Sequence, residues 1–179
     1  MTQSQFPEKA NAVTFRGTPM TLVGRQVRAG DPAPDFRLTT AAMQSLTLEE
    51  AIDGGNRSAL FIALPSLDTP TCDVETNTFN RRIGEVPAGA AVFVVSLDLP
   101  FAQKRWAAAN NAEGLTFLSD YREHSFATAY GVFLKEIGLI TRANFIVAKD
   151  RTVAYAEIVP EVASEPNYDA TLAALKKLG

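Results

Sequence analysis

The sequence is poor in the residues that stabilise or arm a fold through special chemistry. It has one cysteine and one histidine in 179 residues. No disulfide can therefore close within the chain, and metal sites built on two or more histidines are excluded. No CxxC pair exists, which removes dithiol oxidoreductases, and the absence of GxGxxG and Walker patterns removes the usual nucleotide cradles. Unbroken apolar runs stop at six residues, as in Ala59 to Leu64 and Ala90 to Val95, whereas a membrane span needs about 20. Basic excess is also missing: 17 Lys and Arg face 20 Asp and Glu, for a net charge of −3. Nothing here neutralises phosphates, so nucleic acid is not an expected partner. The first residues carry neither the basic start nor the apolar stretch of a secretory leader, and a cytoplasmic protein is expected.

What is present suffices for a full-sized core, since 46% of the residues are hydrophobic and the length suits about one domain. Residues 1–12 are polar and read as a loose segment; 13–179 read as one domain. Val13 to Val23 alternates around Gly17-Thr18-Pro19, the pattern of a β-hairpin. Gly30-Asp31-Pro32-Ala33-Pro34-Asp35 is stiff and extended, because each proline fixes its own φ and biases the residue before it. It leads into a short strand over Phe36 to Thr39, a short helix over Leu46 to Ile52 and a turn at Asp53-Gly54-Gly55. Ala59 to Leu64 and Ala91 to Leu97 are apolar throughout and predict strands buried on both faces. Helices are expected over Pro70 to Gly84, Phe101 to Asn110, His124 to Phe133 and Tyr168 to Leu178. Leu115 to Leu118 reads as a strand, and Ala143 to Ala148 with Thr152 to Val159 as two strands turning at Lys149-Asp150-Arg151. The order predicts an α/β domain with a mixed sheet flanked by helices.

The single cysteine sits where α/β sheets place their chemistry, between a buried strand and the helix that follows. Thr69 is expected as N-cap, Pro70 as the first helical residue and Cys72 as the third. There an anionic sulfur faces unpaired backbone N–H groups and the positive end of the helix dipole, which favours the thiolate. The Thr69 hydroxyl is expected to accept from an N–H and donate to the sulfur. The shift matters: a thiol of pKa about 8.5 is only about 3% ionised at pH 7, and one of pKa 6 about 90%. Asp73 and Glu75 oppose it, so a cation from elsewhere is required, and Arg142, just ahead of an apolar strand, is the expected supplier. Helical spacing places Cys72, Thr76, Phe79 and Ile83 on one face, turned inward. Two other readings stand beside a reactive thiol: a small buried hydrophobe without chemistry, and a Cys72–His124 hydrolase pair.

Pro65-x3-Thr69-x2-Cys72 resembles the active-site motif of peroxiredoxins. Ser66 to Cys72 with Phe79-Asn80, Asp98-Leu99-Pro100-Phe101-Ala102-Gln103-Lys104-Arg105, Ala129-Tyr130-Gly131 and Glu165-Pro166-Asn167-Tyr168 resemble its thiol peroxidase branch. The resemblance runs from about Val13 to the end, and Gly30 to Phe36 is similar to the broader peroxiredoxin opening. It implies a thioredoxin-like fold with an N-terminal β-hairpin and a peroxidase of hydrogen peroxide and organic hydroperoxides, without metal or organic cofactor. By resemblance Cys72 is the peroxidatic cysteine, Thr69 and Arg142 hold the thiolate and peroxide oxygens, and Pro65 shields the sulfur. Thioredoxin or another small thiol is the implied reductant, and a homodimer the implied assembly. The chain departs from the branch after Trp106: Ala107 stands where many members carry a resolving cysteine. Either an external thiol recycles the sulfenic acid or Ala107 is an engineered replacement. A non-enzymatic peroxide sensor that passes oxidation to a partner protein is the alternative function.

Overall fold

A computed structural model describes residues 6–179. The opening hairpin comprises β1 (Glu8–Phe15) and β2 (Thr18–Val23). It differs from expectation in two ways. The strand begins at Glu8, so Glu8 and Lys9, read as loose, pair with Val23 and Leu22 ahead of an irregularity that ends at Val13, while 1–5 lie outside the described residues. The turn is Arg16-Gly17, both at positive φ (51° and 79°), the requirement of a two-residue hairpin turn; Pro19 lies within β2 opposite Thr14.

β3 (Arg37–Thr40) and β4 (Ser45–Thr47) pair antiparallel, and α1 (Leu48–Ala51) follows. The helix expected from Leu46 starts two residues later. Thr47 caps it: its hydroxyl accepts from Glu50 N–H while the Glu50 carboxylate accepts from Thr47 N–H, a reciprocal box that sets the first turn. The chain then runs β5 (Ser58–Ala63), α2 (Pro70–Arg81), β6 (Ala90–Ser96), α3 (Pro100–Ala109) and β7 (Thr116–Ser119). α4 (Ser125–Ala129) is half the expected length. Gly131 ends it at φ 67°, and a Cβ there would meet the Arg25 carbonyl at 2.6 Å; only glycine fits both constraints. Two short strands, β8 (Phe133–Leu134) and β9 (Leu139–Ile140), take the place of the expected helix end. β10 (Ala143–Val147), β11 (Val153–Ile158) and α5 (Tyr168–Lys176) complete the chain.

Seven strands form the main sheet in the order β11-β10-β5-β6-β7-β3-β4, with β5, β6 and β7 parallel and the rest antiparallel. The hairpin joins β8 and β9 in a second sheet, β1-β2-β8-β9. The apolar run of β5 has a simple cause: both of its faces are covered. Ala59, Phe61 and Ala63 enter a cluster with Phe126 and Tyr130 from the α4 side. Leu60, Ile62 and Leu64 enter another with Cys72, Phe79, Trp106 and Leu172, from α2, α3 and α5. The small sheet caps a third cluster of Val13, Met20, Leu22, Leu134 and Val162.

Candidate active site

α2 begins as its residues dictate. Thr69 is extended at the N-cap, Pro70 occupies the first turn, and Cys72, Glu75, Thr76 and Phe79 are the buried face. Cys72 is fully buried, and the Thr76 hydroxyl donates to its carbonyl at 2.8 Å. Arg142, one residue ahead of β10, crosses to α2 because β10 pairs directly with β5, the strand that feeds α2. Its side chain is 1% exposed. Nη2 lies 3.4 Å from Cys72 Sγ, Nε donates to the Val162 carbonyl at 3.1 Å, and Nη1 pairs with the Glu75 carboxylate. The cation expected beside the sulfur is therefore in contact with it.

Glu75 is the residue whose partner the sequence does not show. Charge sign alone made it an opponent of the thiolate; in the fold it is the partner of Arg142. Fully buried, it is pushed up to about 7 by desolvation, with Arg142 pulling the other way. One of its oxygens, Oε1, has no hydrogen-bond partner among the described residues. Its spacing of three from Cys72, one helical turn, was the available signal. Asp73 is turned away from the sulfur: it accepts from Trp106 Nε1–H at 2.9 Å, so Trp106 ties α3 to α2 rather than merely packing.

Thr69 departs from expectation. Its hydroxyl makes no capping bond and donates to the Ser66 carbonyl at 3.0 Å, not to the sulfur. The tight 66–69 turn, also closed by Thr69 N–H to the Ser66 carbonyl at 3.0 Å, captures the proton. The oxygen's lone pairs remain available as acceptors. That turn is fastened by Asp98, which accepts from the Ser66 hydroxyl (2.7 Å), Leu67 N–H (2.9 Å) and the Ser96 hydroxyl (2.8 Å). Gln103 in turn donates to Ser96 Oγ and the Leu118 carbonyl. The Asp98 to Gln103 motif thus works as a brace between the β5–α2 and β6–α3 connections.

Pro65, Thr69 and Arg142 meet on the wall of one cleft of about 300 Å³, completed by Phe15, Arg16, Ile137, Leu139 and Val162 among others. Three of the four residues singled out from sequence share this cleft, and Cys72 lies behind it, against Arg142. His124 is elsewhere. It caps α4 and stacks on Phe133 at 5.1 Å, on the opposite face of the sheet from α2, which excludes a Cys72–His124 pair. No cluster of three or more metal-ligating side chains occurs among the described residues, and none of their helices is long and apolar enough to cross a membrane.

Residues 29–156 match the AhpC/TSA family. A thiol peroxidase of Clostridium acetobutylicum is 41% identical over 162 residues, covering 90% of this chain and 96% of that protein. A thiol peroxidase of Bacillus subtilis is 39% identical over 166 residues, covering 93% and 97%. Among solved structures, a peroxiredoxin-like protein from Aquifex aeolicus superposes with a TM-score of 0.87 at 39% identity, covering 95% of this chain and 98% of that one.

Proposed function

The chain belongs to the AhpC/TSA family and is a thiol-dependent peroxidase of thioredoxin-like fold, and from that premise we propose that Cys72 is the peroxidatic thiol. The observation that carries the assignment is the contact of the buried Arg142 guanidinium with Sγ, at 3.4 Å beneath the cleft. A fixed cation against the sulfur stabilises the charge that develops on the leaving oxygen. The thiolate uses a lone pair on the outer peroxide oxygen, forming an S–O bond while the O–O bond breaks. Hydroxide or alkoxide departs with the bonding pair and takes a proton to become water or alcohol, and the sulfur is left two electrons oxidised as sulfenic acid. Arg142 donates to the peroxide oxygens, Thr69 accepts the peroxide O–H through its free lone pairs, and Pro65 keeps water from the sulfur.

Recycling falls to an external thiol, because the chain holds no second cysteine. A first thiol condenses with the sulfenic acid to a mixed disulfide and water; a second releases Cys72 and leaves as the disulfide. We take thioredoxin or another small thiol of the cytoplasm as that reductant. A homodimer is supported by Leu99 and Phe101, two large apolar side chains left 49% and 66% exposed at the start of α3.

Intact mass with thiol trapping tests the site. One equivalent of peroxide should add one oxygen to the parent, which dimedone converts to a covalent thioether adduct with loss of water, and excess peroxide should add a second oxygen. Ala107→Cys, at the half-buried position on α3, should instead lose two hydrogens by bridging to Cys72, provided local unwinding brings the Cα atoms within about 7 Å. A parent whose mass does not change with peroxide overturns the assignment of Cys72. Turnover with a reductant separates the enzyme from a sensor that is oxidised only once per partner.

A further inference from the structure

Away from the cleft, the far edge of the main sheet carries a pocket of its own. β3 and β4 turn Leu38 and Leu46 into the aromatic cluster, so alternation sends Arg37, Thr39 and Ser45 to the other face. Thr39 stands directly opposite Ser45 in that ladder. The turn after β7 supplies the rest: Arg122 and Glu123 close, with these three, a cavity of about 140 Å³. That is the room of about four or five waters, and so of one five-atom oxyanion.

The net charge of −3 does not describe this pocket, where two guanidiniums stand with one carboxylate. Neither arginine has a carboxylate within ion-pair distance among the described residues, Glu123 included. Only the backbone of Arg37 is engaged: its N–H donates to Ser125 Oγ at 2.9 Å, and its carbonyl accepts from the Ser125 hydroxyl at 2.8 Å. That clamp seats the start of β3 against α4 and so fixes Arg37 beside the turn that carries Arg122. Arg122 uses one donor, Nε, on the Tyr121 hydroxyl at 2.8 Å, and its Nη groups have no partner among the described residues. Thr39 is 5% exposed and lines the pocket, and its hydroxyl also has no partner among them. A hydroxyl so deeply buried is unfavourable unpaired, and a ligand in the pocket would pair it.

We propose that this pocket binds inorganic phosphate as hydrogenphosphate, at a site separate from the peroxidase chemistry. The two guanidiniums and two hydroxyls donate to its unprotonated oxygens, and the Glu123 carboxylate accepts from its P–OH. That carboxylate is the selective element. Sulfate has the same shape and charge but no proton at neutral pH, so it sets lone pairs against those of Glu123. A phosphate monoester sheds its last proton above about pH 6 and meets the same repulsion. None of the five residues lines the cleft beside Cys72, and the inference does not depend on the reading of that site.

Calorimetric titration of the full chain tests it, slightly above neutral pH and at an ionic strength held constant with chloride. The ligands are phosphate, sulfate and methyl phosphate. Phosphate should bind tighter than either of the others by about fivefold to a hundredfold, the factor that one unpaired polar group is worth. Arg37→Met and Arg122→Met should each weaken phosphate by about tenfold to a hundredfold, the range for a lost hydrogen bond to a charged group. Glu123→Gln should abolish the discrimination by raising the affinity for sulfate, because the amide donates where the carboxylate only accepts. All three positions are exposed, so the variants should fold as the parent does. Equal affinity for phosphate and sulfate in the parent would mean an adventitious ion only and overturns the proposal. Methyl phosphate bound as tightly as phosphate overturns it too, since a monoester brings no proton to Glu123. So does phosphate binding that is absent from the parent or unchanged in Arg37→Met.

Discussion

The two faces of the main sheet are built on opposite terms. On the α1 and α4 side, Phe36, Phe61, Phe93, Phe126, Tyr130 and Phe145 form a continuous aromatic cluster, with Phe126 stacked on Tyr130 at 4.3 Å and Phe36 edge-on to Phe61 at 5.3 Å. The polar atom in it is partnered: the Tyr130 hydroxyl donates to the Pro34 carbonyl at 3.0 Å. On the α2, α3 and α5 side the same strands bury Cys72, Glu75, Arg142, Asn144 and Thr171. Glu75 Oε1, Gln103 Oε1 and Asn144 Oδ1 there lack hydrogen-bond partners among the described residues. Buried polar atoms without partners are unfavourable, and so is an ion pair taken out of water. The comparison teaches that one face supplies stability, which the other gives up to hold a cation against a sulfur.

The largest effect that separates the faces is expected from Arg142→Met. It removes the group in contact with Sγ and leaves Glu75 buried without its partner. Loss of one well-placed donor to developing charge is worth about a hundredfold to a thousandfold in rate, so peroxide reduction measured by stopped flow should fall within that range. Wild-type rates from this variant would mean that the cation does not serve the chemistry.

Phe126→Ala probes the opposite face. Phe126 is fully buried and meets four rings, those of Phe36, Phe61, Tyr130 and Phe145. Its truncation should cost about 3–5 kcal/mol, read by urea unfolding. The rate per folded molecule should stay near that of the parent, because none of these rings lines the cleft. A rate loss as large as that of Arg142→Met would show that the two faces are not separable.

Legibility in the sequence followed a different division. Strands β5 and β6 were readable because a short run apolar at every position suits a strand covered on both sides, whereas the aromatic cluster, gathered from residues 36 to 145, was not. Cys72 at the start of α2 was readable because Thr69 and Pro70 mark a helix entry locally. Arg142 could be nominated by the need for a cation, but its contact depends on β10 pairing with β5, a register that no local pattern records. The Glu75–Arg142 pair was missed for that reason: the two residues are 67 apart in sequence. The Asp98 brace and the two-residue strands β8 and β9 were missed because they exist only through tertiary pairing. The helix expected over 124–133 failed at Gly131, where the approach of the Arg25 backbone, not propensity, ends it.

Glu75→Gln carries the smallest expected effect and the sharpest one for the comparison, because it changes charge while keeping shape and an acceptor for Arg142. The parent carboxyl stands at about 7 in the fold against 4.5 in the free side chain. Burial is the main cause; Glu157 and Glu165 add to it, while Arg142 opposes it. A group whose folded value is raised binds more proton in the native state, so folding takes up a proton between these two values. This contribution to stability is fully present below about 4.5 and is lost as pH rises through about 7. The full slope of one proton is about 1.4 kcal/mol for each pH unit in that window. Glutamine has no such proton. The stability difference, parent minus variant, should therefore decline as pH rises through the window and level off above it. Urea unfolding at several pH values measures it. If the two proteins keep a constant difference from acid to neutral pH, Glu75 takes up no proton on folding, and the polar face holds its ion pair at less expense than its burial implies.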